Sequence, residues 1–207
     1  MRETAGGSDE RATASEFAGQ APSPHRSQPW HGRRSPTKIA DYDTVTVRDV
    51  RPTDWRALTE LYAAATPESL RLRFFDQPSP GTLAAEVGRL CRPQGQRHLA
   101  VVAVEAGHVR GVASCERHGR LGPRAEFAVF VDDRHQGHGI GTLLLRHLAA
   151  RARQHGITEL AGAVLPANTR MLRLARRFSA GSWIGCGTGT GAVGVGLSTT
   201  APTGGTT

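Results

Sequence analysis

Between residues 44 and 178 the apolar positions switch repeatedly between a spacing of two and a spacing of three or four. Thr44-Val-Thr-Val-Arg-Asp-Val-Arg51 partly alternates before Pro52 interrupts it, which predicts a first strand. Trp55, Leu58, Leu61 and Tyr62 then share one helical face, with Thr53 placed to cap it. A proline at the first helical position marks two more helices, a short one from Thr66-Pro67 to Phe75 and another from Ser79-Pro80 to Leu90. Leu99 to Glu105 and His108 to Cys115 read as a hairpin around Ala106-Gly107. Ala125 to Val131 is apolar except for Glu126, the pattern of a strand buried on both faces. A glycine-punctuated turn leads into an amphipathic helix from about Gly139 to His155, with Leu143, Leu144, Leu148 and Ala152 inward. Glu159 to Leu165 is another central strand, ended by Pro166, and Ala167 to about Phe178 is a helix with Met171, Leu172 and Ala175 on its apolar face. Strands alternating with helices make an α/β layered domain.

Outside that stretch the periodicity fades. Residues 1–42 mix Gly, Ser, Pro and Thr with scattered charge, which predicts a tail without a fold of its own, and residues 179–207 are rich in Gly and Thr. A hydrophobic content of 38% with 5% aromatics over 207 residues fits one core that leaves part of the chain outside it. The chain has no apolar run long enough for a spanning helix and no apolar leader, so a cytoplasmic protein without membrane contact is expected. Cys91, Cys115 and Cys186 are odd in number and lack CxxC spacing, which predicts reduced thiols.

Charge changes the picture further. The net charge is +8, yet among 26 Lys and Arg residues the only lysine is Lys38. A P-loop and a pyridoxal Schiff base inside the fold are thereby excluded. The positive balance suits a polyanion, be it a phosphate-rich small molecule, an acidic protein face or nucleic acid. No RNP, helix-turn-helix or aromatic stacking pattern accompanies it, so nucleic acid rests on charge alone. Lone histidines such as His98, His118, His147 and His155 show no metal-ligand spacing.

The chemistry concentrates in Arg134-His-Gln-Gly-His-Gly-Ile-Gly-Thr-Leu-Leu-Leu145, between a buried strand and a helix. Gly137, Gly139 and Gly141 let backbone approach a ligand, and the orphan amides of the helix start can hold a diphosphate without lysine. A dinucleotide fingerprint would be G-x-G-x-x-G near the first strand, with an acid ~20 residues on. Here the order is Q-x-x-G-x-G, late in the domain, and Glu159 opens a strand.

On Gln136-Gly-His-Gly139-Ile-Gly141, which matches Q/R-x-x-G-x-G/A, the chain resembles the GNAT superfamily of N-acetyltransferases over roughly residues 44–178. Val50 to Trp55, Thr66 to Phe75, Ala125 to Val129 and Met171 to Arg177 are similar, more narrowly, to the bacterial protein-lysine acetyltransferase (Pat-like) branch. The resemblance implies a mixed central β-sheet with a splay between its fourth and fifth strands, helices on both faces, and acetyl-CoA as co-substrate with no metal. It assigns the cofactor's pyrophosphate to Gln136, Gly137, His138, Gly139, Ile140, Gly141 and Thr142; the side chains of Arg134, His135 and His138 flank that turn, placed to meet phosphate or only water. It lays the pantetheine arm in the splay beside Phe127, Val129 and Val131, where an amide near Val129 would polarise the thioester. Asn168 resembles an asparagine that contacts coenzyme A, and an Asn near a helix start equally serves as a cap.

Acetyl transfer needs a neutral amine, and a lysine with pKa ~10.4 must first lose a proton. A carboxylate desolvated in an apolar strand would have its pKa raised toward that of a competent base, which singles out Glu126, the position of the branch's catalytic glutamate. An arginine-held brace is the other reading of Glu126, and Glu116 is the second candidate base. The acceptor is then a protein lysine or a small amine. After Arg177 the family's usual Leu-Gly-Phe and two charged strands are replaced by Phe178 to Ser198, rich in glycine. Either a hairpin of Trp183 to Cys186 with Ala192 to Leu197 forms there, or one sheet edge stays open and the chain is a coenzyme A-binding pseudoenzyme or sensor.

Overall fold

A computed structural model of the chain describes residues 45–118, 121–178, 183–185 and 192–199. The tail read over residues 1–42 lies outside these. Seven strands form one mixed sheet: β1 (Val45–Asp49), β2 (His98–Glu105), β3 (His108–Glu116), β4 (Arg124–Val131), β5 (Glu159–Val164), β6 (Trp183–Gly185) and β7 (Val193–Ser198). Their order is β1-β2-β3-β4-β5-β7-β6. Among the described residues five helices accompany them: α1 (Trp55–Ala63), α2 (Pro67–Phe74), α3 (Pro80–Leu90), α4 (Ile140–Gln154) and α5 (Thr169–Phe178). None is long and apolar enough to cross a membrane.

Local chemistry explains most element boundaries. Thr66 and Ser79 cap α2 and α3 by accepting the amides of Ser69 and Thr82, each ahead of a proline at the helix start. Ala106 and Gly107 both have positive φ, 47° and 78°, as the two-residue turn between β2 and β3 requires. The start of α1 differs from expectation. Thr53 lies in a 3-10 turn over Pro52–Asp54, and it is the Asp54 carboxylate that accepts the Arg51 amide and the Arg48 guanidinium, at 2.7–2.8 Å. Trp55, expected on the buried face, is 59% exposed because it opens the helix ahead of the stretch that covers the sheet. On α4, Leu145 is fully buried where Leu143 is only half-buried.

Two hydrophobic layers cover the two faces. Leu144, Leu145, Leu148 and Ala152 of α4, with Ala175 of α5, pack against Val101, Ala113, Phe127, Leu160, Val195 and Leu197. Leu58, Leu61, Tyr62, Val87 and Leu90 of α1 and α3 pack against Val102, Val112 and Phe130 on the other. Among the described residues Cys91 and Cys115 are free thiols, and burial pushes that of Cys115 up to about 12.

Two pairings position the site. β4 and β5 are parallel but joined only at Arg124↔Glu159, Ala125↔Leu160 and Glu126↔Ala161, after which the strands part. β5 is paired along its whole length with antiparallel β7, from Glu159↔Ser198 to Val164↔Val193. In the glycine-rich C-terminal segment β6 pairs antiparallel with β7, from Trp183↔Gly196 to Gly185↔Gly194, with Val195 and Leu197 buried on either side of Gly196; Cys186, also expected in this hairpin, lies outside the described residues.

Candidate active site

The turn from Gln136 to Gly141 leaves the carboxyl end of β4, and Asn168 follows the carboxyl end of β5, so both stand at the mouth of the opening between the strands. Gly137 and Gly139 have φ of 84° and 89°, the left-handed region that side chains disfavour. Gly139 is the N-cap of α4, and no side chain caps that helix, in contrast to α2 and α3. Among the described residues, then, a fifteen-residue helix presents its first amides and the positive end of its dipole with no side-chain acceptor capping them. Such a start fits a diphosphate. A Cβ on Gly141 would meet Leu174 at 3.4 Å and Val131 at 3.8 Å, so that glycine is packed under the turn. The Ile140 side chain is buried in the core, which leaves only its backbone for a ligand, while Gly137 and His138 are exposed and Thr142 half-buried.

Gln136 is a structural hub. Its Nε2 donates to the Val131 carbonyl at 3.1 Å and to Asp133 Oδ1 at 2.8 Å, and its Oε1 accepts from Arg170 at 2.7 Å. Arg170 and Asp133 carry no sequence signal for this role, because their partners lie on other elements. His135 is occupied by Asp132 at 3.0 Å and by Glu105 at 3.4 Å, so it braces the β2–β3 end rather than facing a phosphate. Arg134 is exposed beside the turn.

Phe127, Val129 and Val131 lie past the last β4–β5 pair, and their other edge is held by Cys115, Ala113 and Gly111 of β3. The open edge of β4 there has backbone groups that an amide-bearing arm can pair with, as an added strand would. Gly162 faces the same opening, where a Cβ would sit 3.2 Å from the Phe127 carbonyl oxygen and 3.3 Å from its ring. Asn168 Oδ1 accepts the Met171 amide at 3.0 Å and so caps α5.

Glu126 and Glu116 are opposite each other on β4 and β3. The expectation of a desolvated Glu126 is not met: its side chain is 67% exposed, with His118 Nε2 at 3.2 Å from Oε2. The cause lies in the face it shares with Arg124, Ala128 and Phe130, where burial grows only toward Phe130, under the helices. Glu116 is instead clamped by Arg89 at 3.0 Å and Arg92 at 2.5 Å. Burial works to raise its carboxyl, but the two guanidiniums outweigh it and hold it below the usual range, which makes it a poor base. Arg89 also reaches Ser114 at 3.1 Å and Glu86, and Glu86 binds Arg73 at 2.6 Å. Beside them a shallow crevice is lined by Tyr62, Arg73, Glu86, Ser114 and Ala128, among others.

Residues 55–179 match the family model described as acetyltransferase (GNAT) family. The GNAT domain of Streptomyces lividans PAT is 29% identical, with a TM-score of 0.66 over 74% of this chain and 90% of that one. yncA from Salmonella typhimurium, solved with its cofactor acetyl-CoA, is 22% identical, with a TM-score of 0.59 over 77% and 96%. A GNAT superfamily phosphinothricin acetyltransferase from Sinorhizobium meliloti, in complex with acetyl-CoA, is 24% identical, with a TM-score of 0.57 over 78% and 95%.

Proposed function

Because the chain belongs to the acetyltransferase (GNAT) family, we propose that it transfers the acetyl group of acetyl-CoA directly to an amine, a protein lysine in first place, with Glu126 as general base. The observation that carries the cofactor assignment is the uncapped, glycine-led start of α4 beside strands that part after Glu126↔Ala161. Acetyl-CoA supplies an acyl group on a good thiolate leaving group. Gln136 to Thr142 hold its diphosphate on backbone amides, and the open edge of β4 at Phe127, Val129 and Val131 aligns its arm. Asn168 fixes the start of α5 at the mouth of the cleft.

Glu126 takes the proton from the amine as its lone pair forms the C–N bond and the C–S bond breaks, and the departing sulfur carries the electron pair away. The carboxylate is exposed, so the acceptor itself must shed the water around it. His118 offers the proton its next stop, 3.2 Å from Glu126. The resemblance of Val50 to Trp55, Thr66 to Phe75, Ala125 to Val129 and Met171 to Arg177 to the protein-lysine acetyltransferase branch supports a protein lysine. A small amine is the second reading, favoured by the likeness to the phosphinothricin acetyltransferase.

The test is calorimetric titration of acetyl-CoA into the wild type and Gly139→Glu, which places a carboxylate in the diphosphate turn. Wild-type binding at a Kd on the order of micromolar, abolished in a folded variant, supports the assignment. A folded wild type that binds no acetyl-CoA refutes it.

A further inference from the structure

One carboxylate ties the diphosphate turn to the helix layer on the opposite face of the sheet. Asp133 lies in the 3-10 turn Asp133–His135, between β4 and Gln136. Its Oδ2 accepts the backbone amide of Thr66 at 2.7 Å, and its Oδ1 accepts the Ser69 hydroxyl and, at 2.8 Å, Gln136 Nε2. Thr66 is the N-cap of α2 and Ser69 belongs to its first turn. Gln136 Nε2 also lies 3.4 Å from Ser69 Oγ, and its Oε1 is held by Arg170 of α5. Asp133 therefore joins three elements: α2, the glycine turn and, through Gln136, α5.

The α2 helix covers the face of the sheet that carries Glu126, the base assigned above. Its Leu70 and Phe74 pack on the same layer as Tyr62 and Phe130, and its Arg73 binds Glu86 beside Ser114. α2 has no fully buried residue, so its packing is loose and its position depends strongly on its ends. Burial works to raise the Asp133 carboxyl, but the Ser69 and Thr66 hydrogen bonds and the charge of Arg170 hold it below its usual range, so the link is ionised at neutral pH.

Resting on the cofactor assignment above, we propose that Asp133 is a positioning residue that transmits occupancy of the Gln136–Gly141 turn to α2, so that the bound cofactor orders the acceptor wall. A diphosphate gathered on the turn's amides restrains Gln136, which restrains Asp133, which holds Thr66 and Ser69. The second ligand then meets an α2 whose ordering cost is already met. By reciprocity an acceptor seated against α2 raises cofactor affinity by the same factor.

Hydrogen exchange of the full chain with and without coenzyme A tests this, comparing wild type, Asp133→Ala, Asp133→Asn and Ser69→Ala. In the wild type coenzyme A should slow exchange both in residues 137–141 and in residues 66–74, the latter by roughly tenfold. Asp133→Ala should keep the protection of 137–141 and lose that of 66–74. Asp133→Asn, which retains one acceptor oxygen, and Ser69→Ala, which removes one donor, should fall between. Unchanged exchange in α4 without ligand shows that each variant is folded. Protection confined to 137–141 in the wild type, or protection of 66–74 that survives Asp133→Ala, overturns the proposal. Absence of protection at 137–141 in the wild type overturns the cofactor assignment and this proposal with it, and is told apart by that segment alone.

Discussion

Glu116 and Glu126 are directly opposed across the β3–β4 ladder, and their surroundings divide the work between them. Arg89 and Arg92 neutralise Glu116 and fix it to α3 and the residues after it, whereas Glu126 is open to solvent and touches His118. Two like charges facing each other in a sheet would repel, and the arginine pair on one of them removes that cost. The carboxylate without an arginine clamp is the one the proposal above makes the base.

Glu126→Gln should lower kcat by about 100-fold or more while leaving the acetyl-CoA Kd unchanged. Initial rates with a panel of lysine peptides, alongside calorimetry with acetyl-CoA, check this. Glu116→Gln should show no loss of that size in kcat and should lower the melting temperature instead.

Acid should destabilise the fold through the arginine-paired carboxylates. Burial would raise Glu86, but Arg89 and Arg73 hold it below its usual range, and Asp54 is likewise held down by Arg48 and the Arg51 amide. A group depressed in the folded state releases its proton more readily there than in the unfolded chain. Its stabilisation is present above the ordinary glutamate value of ~4.3 and is lost as pH falls through the lower folded value. Melting curves from pH 7 to pH 3 should therefore be flat at first and fall below about pH 4.

Glu86→Gln should reduce that acid slope, and at neutral pH it should cost about 3 kcal/mol, because Arg73 loses its partner at a nearly buried site. Denaturant titration at pH 7 measures the second effect.

Gly162→Val should weaken acetyl-CoA binding by about tenfold, as expected for an added side chain forced against packed neighbours. Its Cβ alone would stand 3.2 Å from the Phe127 carbonyl oxygen where β4 and β5 part. Calorimetric titration of the variant reads it.

Gly111→Ala should cost about 1–3 kcal/mol of stability, because a Cβ there would lie 2.8 Å from the Phe130 carbonyl oxygen and 3.0 Å from Leu144. Backbone cannot yield as a flexible side chain can. A chemical denaturation midpoint that does not move would contradict it.

The sequence disclosed what is encoded locally. Pro67 and Pro80 with their caps Thr66 and Ser79, the Ala106-Gly107 turn and the glycines of 137–141 each state a backbone requirement within a few residues. Relations between distant residues were not visible in it. The burial of Glu126 was misread because an apolar run does not say where the covering helices stop, and here cover is complete only at Phe130. Arg170 meets Gln136 over 34 positions and Thr66 meets Asp133 over 67, with no spacing rule to betray either. Glycines at 194 and 196 blurred an alternation that Val195 and Leu197 nonetheless carry into the core.

The pairing of β5 also sets a timetable. Released from β4 after Ala161, the far half of β5 has β7 as its ladder partner, and residues 165–192 intervene between the two in the chain. During synthesis, with the chain emerging at roughly 5–20 residues per second, the earlier strands and α4 can assemble while this wall of the cleft still awaits its neighbour. That wall of the cleft therefore needs β7 for its completion, and a nascent chain arrested before β7 would hold most of the core with the cleft unfinished.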